Sequence, residues 1–205
     1  MNWIAITDLG DAAVMLPIAM AIAIWLFVSG AYRVAATWLF LYSTGAFLVV
    51  CTKIAFQGWC LGVRALDFTG VSGHSMSAAS VLPVAAYLVA SRFSNSGALV
   101  AGLVGCLGGI VVGISRIVLC YHSPSEVVVG CLLGGSIGVA VIGAFRAHSR
   151  PMVAPLAFVF ASAMLIFFLL GHRAPSQGLS VKVALYLSGR STPCSRAVHC
   201  RALVK

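Results

Sequence analysis

The sequence predicts an all-α fold, a polytopic bundle of six transmembrane helices in one domain. Two observations predict it. Hydrophobic residues make up 61% of the chain and charged residues 8%, with a mean hydropathy of +1.06, a composition outside the soluble globular class. Six apolar runs, 12–28, 34–52, 75–90, 97–114, 127–145 and 152–170, each approach the roughly 17–25 residues needed to cross a bilayer.

The first eleven residues carry Asp8 and Asp11 and no cation, unlike the positive start of a removable signal peptide, so the first helix is expected to stay in place. Pro17 and Pro83 fall within runs, where neighbouring helices satisfy the freed carbonyls. The second run ends at Lys53, and a loop over 53–74 leads to Gly70-Val71-Ser72-Gly73-His74-Ser75. Glycines ahead of a helix leave outward N–H groups that suit an anion; Ser72 reads equally as a plain helix cap. The fourth and fifth runs carry Gly105, Gly109 and Gly113, and Gly130, Gly134 and Gly138. These ladders are expected to pack the two helices on each other and so hold the Arg116 end against the His122 end. Residues 173–205 form a basic tail, with a weakly amphipathic stretch at 178–188 suited to the membrane interface and disorder as the default beyond it.

Between the fourth and fifth runs stand Arg116, His122 and Glu126, the only glutamate in the chain. Charges at a helix centre cost roughly 2.5–3.5 kcal/mol each on insertion scales and persist where they face a cavity, partner or substrate. With a helix starting at Ser123-Pro124, Glu126 lies one turn along from His122 and can accept its ring N–H. Ser123-x-x-Glu126 is also a capping box, in which the carboxylate returns to the cap's backbone. Lys53 alone reads as a snorkelling anchor.

The short loops holding Arg33, Arg92, Arg146 and Arg150 contain no acid, whereas Asp8, Asp11 and Asp67 share the other side with the polar cluster. The positive-inside rule puts the short loops in the cytoplasm and the cluster on the periplasmic or exterior face of a bacterial inner or plasma membrane. The tail's cations lie on that same outer side, and Arg173 and Lys182 are near enough to a helix end to weigh against this orientation. The net charge of +9 comes mostly from cations punctuating helix ends, which argues against nucleic acid as a partner. Seven cysteines form no Cys-x-x-Cys pair, so neither a zinc site nor a disulfide framework is expected. Four acidic residues, widely separated, make a poor supply for a magnesium or two-metal site.

In order, Lys53, then Ser72-Gly73-His74, then Ser115-Arg116-x5-His122-x3-Glu126 resemble the type 2 phosphatidic acid phosphatase family, membrane lipid-phosphate phosphatases that share a site with vanadium haloperoxidases. The family pattern is Lys-x6-Arg-Pro, Pro-Ser-Gly-His and Ser-Arg-x5-His-x3-Asp. Three departures stand out. Cys60-Leu61 replaces Arg-Pro, with Arg64 four residues beyond as a candidate second cation; Val71 replaces a proline; and Glu126 replaces an aspartate. The resemblance spans about 53–134, and makes 1–172 a membrane phosphatase domain. It implies a phosphoric monoester or lipid pyrophosphate hydrolase that needs no cofactor or metal, with a lipid phosphate held among membrane lipids. His122 would be the nucleophile giving a phosphohistidine, Glu126 its orienting group and His74 the general acid. Lys53, Ser72, Gly73 and Arg116 would bind phosphate.

Two other functions are weighed. A lipid-phosphate binder or transporter would keep the anion pocket without turnover. Gly70-Val71-Ser72-Gly73 also looks like the Gly-x-Ser-Gly of rhomboid intramembrane proteases, but that chemistry needs a histidine base inside a later span, and His148 and His172 only flank the sixth run. The apolar surfaces carry no readable code for one lipid tail over another, nor for an oligomeric state.

Overall fold

The computed structural model describes residues 2–148 and 176–195. Its elements are α-helices, α1 Trp3–Leu9, α2 Ala12–Val28, α3 Tyr32–Trp59, α4 Gly73–Ala90, α5 Asn95–Val118, α6 Pro124–His148 and α7 Ser176–Ser188, plus a 3-10 turn at Arg64–Leu66. Five helices among the described residues are long and apolar enough to cross a membrane. This is an all-α polytopic bundle and an integral membrane protein. The expected span at 152–170 lies outside the described residues.

The first span starts earlier than the apolar run. α1 and α2 together give a candidate span over Trp3–Val28, broken at Gly10 and Asp11, where the Asp11 side chain caps α2 by accepting from the Ala13 N–H at 2.8 Å. This break turns Thr7 and Asp11 toward the bundle's polar end. α3, at 28 residues and 1.5 Å per residue, is about 42 Å long. That exceeds a hydrocarbon core of roughly 30 Å, so the helix is long enough to carry an end past the hydrocarbon.

α4 is the central helix. It has 56% of its apolar window buried, against 28–39% for the other spans, with Met76, Val81, Val84 and Leu88 in the core. The glycine ladders serve this helix, which corrects the expectation that they pack α5 on α6. A Cβ at Gly105 would stand 2.6 Å from Pro83 Cα, one at Gly109 2.7 Å from Ala79 Cα, and one at Gly130 2.7 Å from the Ser72 carbonyl. Only Gly113 opens chiefly onto α6, toward Val127 and Cys131. α5 and α6 are thus held in register by a shared neighbour whose first turn carries His74. The remaining ties are individual contacts. Trp38 Nε1 donates to the Ala19 carbonyl at 2.9 Å, joining α2 to α3, and Tyr87 meets Phe145 edge-on at 6.0 Å, joining α4 to α6. Large apolar side chains such as Phe47, Leu103, Leu132 and Val139 stay exposed on the outside, as a lipid-facing surface requires.

Cys60 and Cys194 form a disulfide, and Cys120 is likewise disulfide-bonded. This corrects the expectation of no disulfide framework: spacing rules register local pairs, whereas Cys60 and Cys194 are 134 residues apart in sequence. The bridge fastens the segment after α7 to the end of α3, with the Cys194 N–H donating to the Gln57 carbonyl at 2.9 Å. α7 itself packs on α3, its Ala184 carbonyl meeting Gly58 where a Cβ would come within 3.1 Å.

Candidate active site

The polar residues singled out in the sequence collect at one end of the bundle. Lys53 is near the end of α3, His74 in the first turn of α4, Arg116 in the last turn of α5, His122 in the turn after it and Glu126 in the first turn of α6. His74 is within electrostatic range of Arg116, Asp11, Lys53 and His122, and Lys53 of Arg116 and Glu126. Two glycines permit the approach. Gly70, at φ 152°, brings the loop against Lys53, with a Cβ position 3.3 Å from the lysine's backbone nitrogen. Gly10 sits where a Cβ would be 3.2 Å from His74 Cβ.

Glu126 is fully buried and does both things the spacing allows. Its Oε2 lies 2.6 Å from His122 Nδ1 and accepts from the Ser123 N–H at 3.2 Å, closing the capping box while holding the imidazole. Oε1 accepts from the Thr69 N–H and hydroxyl, each at 2.6 Å. A carboxylate here draws the imidazole proton onto Nδ1 and leaves the Nε2 lone pair for chemistry. His122 sits with only 11% of its side chain exposed. Burial pushes its pKa below the ordinary histidine value, and the bond to Glu126 opposes that shift. The ring is therefore kept neutral.

Arg116 is buried. Its Nη1 donates to Thr7 Oγ1 at 2.9 Å and its guanidinium lies 4.4 Å from the Tyr121 ring centroid. Its Nε is buried with no hydrogen-bond partner, which leaves a charged donor for an incoming anion. Ser72 is buried and caps α4, its Oγ accepting from the Ser75 hydroxyl at 2.9 Å, while its N–H donates to the Glu126 carbonyl at 3.2 Å. The first-turn N–H groups of Gly73 and His74 have no intrahelical acceptor by helix geometry. Arg64 is exposed on the 3-10 turn. It lines a cavity of about 710 Å³ with Phe56, Phe68, Thr69 and Ser195.

Residues 46–150 match the family model described as PAP2 superfamily. The chain belongs to the PAP2 superfamily. It is similar along its whole length to an "Uncharacterized 22.5 kDa protein in cps region" of Klebsiella pneumoniae, with 35% identity over 201 residues and 96% of each chain covered. No solved structure matches it. Members of this superfamily are phosphatases, which supports a phosphatase-type function, that of a phosphoric ester hydrolase.

The departures from the PAP2 pattern acquire physical reasons here. Val71 has the N–H that a proline lacks, and donates it to Thr52 Oγ1 at 3.1 Å, so a hydrogen bond to α3 fixes the loop where a ring would. Cys60, in place of the first-motif arginine, anchors the C-terminal segment. Glu126 has the extra methylene with which one carboxylate spans His122 and Thr69. Sequence reasoning missed Thr69, Thr7, Asp11 and Tyr121. Thr69 adjoins the Gly70 motif and Tyr121 adjoins His122, but neither type is diagnostic. For Asp11 a signal existed: the chain has four acidic residues, and three aspartates on the cluster's side needed an explanation beyond topology.

Proposed function

We propose that this protein hydrolyses a lipid phosphomonoester or pyrophosphate, without a metal, through a phosphohistidine on His122. The observation that carries the reading is the buried Arg116 Nε without a partner, within electrostatic range of Lys53 and of an imidazole whose Nδ1 is already committed to Glu126. In the first step Nε2 of His122 attacks phosphorus, the P–N bond forms and the P–O bond to the leaving group breaks. His74 gives its proton to the departing oxygen. Water then attacks the phosphohistidine, surrendering a proton to His74, and phosphate leaves. Lys53, Arg116 and the Gly73 N–H neutralise the equatorial oxygens, where phosphoryl transfer takes most of its stabilisation. Ser72 contributes by capping α4.

A lipid substrate is supported by depth. The reacting groups sit at helix ends, where a phosphate head group meets them while its tail stays in hydrocarbon. An outward-facing site is supported by the Cys60–Cys194 bridge at this same end, since disulfides persist in oxidising compartments such as the periplasm. The test is phosphate release from phosphatidic acid in detergent with chelator present. Turnover by the wild type and background levels in His122→Ala support the proposal. Undiminished turnover in the variant, or turnover only with added divalent metal, overturns it.

A further inference from the structure

We propose that Asp11, from the break between α1 and α2, is a positioning residue for His74, so that the site has two histidine–carboxylate pairs rather than one. The proposal rests on the hydrolase reading above and extends it to a segment outside the 46–150 family match. Asp11 Oδ2 lies 3.6 Å from His74 Nε2, with each side chain about one-fifth exposed. Its other oxygen is fixed by the cap of α2, so the carboxylate is held rather than free to swing. The approach is built in, because Gly10 packs where any Cβ would crowd Val112 and His74. Thr7, one turn earlier, holds Arg116, so the same short segment touches both the cation and the acid of the site.

The electrostatic need is plain. His74 must carry a proton to act as general acid, yet burial works against its charge, and it faces Arg116 from α5, Lys53 from α3 and His122 from the α5–α6 turn. It also lies in the first turn of α4, where the helix dipole disfavours a cation. Asp11 is the carboxylate among the groups acting on it. Burial keeps the His122 ring neutral while Glu126 accepts the Nδ1–H hydrogen bond and so leaves Nε2 free, whereas Asp11 is placed to favour the protonated His74 ring.

Asp11→Asn is the discriminating variant, because asparagine caps a helix about as well as aspartate and only the charge is lost. On an alkyl phosphate, whose leaving group needs protonation, we expect a roughly 10–100-fold fall in kcat, within the usual range for general acid catalysis. The alkaline limb of the pH–rate profile should move to lower pH. On p-nitrophenyl phosphate, whose leaving group departs unaided, kcat should stay within a few-fold, and Asp11→Glu should recover much of the alkyl activity. Equal losses on both substrates, or none on either, overturn the proposal. A readout independent of turnover keeps it separate from the hydrolase reading. In substrate-free protein the His74 imidazole, followed by NMR with labelled histidine, should titrate about one pH unit lower in Asp11→Asn than in wild type. An unmoved midpoint rejects the pairing whatever the enzyme hydrolyses, whereas an inactive wild type with a moved midpoint rejects the hydrolase reading alone.

Discussion

At the scale of single residues, the proposed chemistry turns on Glu126 and His122. The carboxylate is saturated by Thr69, Ser123 and the imidazole, so no isosteric substitute serves all three. Glu126→Gln is expected to lower kcat by roughly 10²–10⁴-fold, because the tautomer with a free Nε2 lone pair is no longer enforced. Phosphate-release kinetics on a correctly folded variant check it. Thr69→Val removes one donor to a buried carboxylate and should cost about 1.5–3 kcal/mol in a denaturation experiment in detergent. The pH dependence follows from burial. With its pKa below the ordinary value, His122 stays neutral, hence nucleophilic, as pH falls through about 6.5. The acid limb of kcat/KM assigned to His122 should therefore lie beneath that value. Removing the Glu126 carboxylate, which favours the imidazolium, should push it lower still.

At the scale of elements, α4 is the helix on which the others are assembled, and its neighbours approach through glycine. Gly109→Ala puts a methyl 2.7 Å from Ala79 Cα and is expected to destabilise by about 1–3 kcal/mol. Gly143→Ala, at a position with nothing within 4 Å, should be neutral or stabilise by up to about 1 kcal/mol; thermal unfolding of the two in one detergent compares them. The helices were legible in the sequence because apolar run length reports a span directly, and the polar cluster because its charges stand out in a membrane protein. The ladders' partner was not legible. A row of glycines says that something comes close, while Gly105, Gly109 and Gly130 all meet α4, a choice made by three-dimensional packing. The start of the first span was also hidden, since Asp8 and Asp11 interrupt its hydropathy. Those acids belong to a polar end that only the folded bundle assembles.

At the scale of the whole molecule, the described residues join an apolar exterior to a polar end where groups from residue 7 to residue 126 meet, with the segment after α7 fastened to the end of α3 by Cys60–Cys194. The spacing-based reading of the cysteines failed because the bridge closes a separation of 134 residues, a distance that only the fold brings together. Replacing Cys194 with Ser should cost about 2–4 kcal/mol of stability while leaving the Glu126–His122 geometry in place; unfolding of the variant beside the wild type without reductant checks this, since reductant would also open the Cys120 bridge. The central claim is that the cationic end is a phosphotransfer site with His122 as acceptor. Rapid acid-free quenching of the protein with radiolabelled phosphatidic acid, followed by peptide mapping, tests it directly. The account predicts an acid-labile, alkali-stable phosphoryl group on His122 that is absent from His122→Ala. Full turnover with no covalent label, or label on another residue, would contradict it.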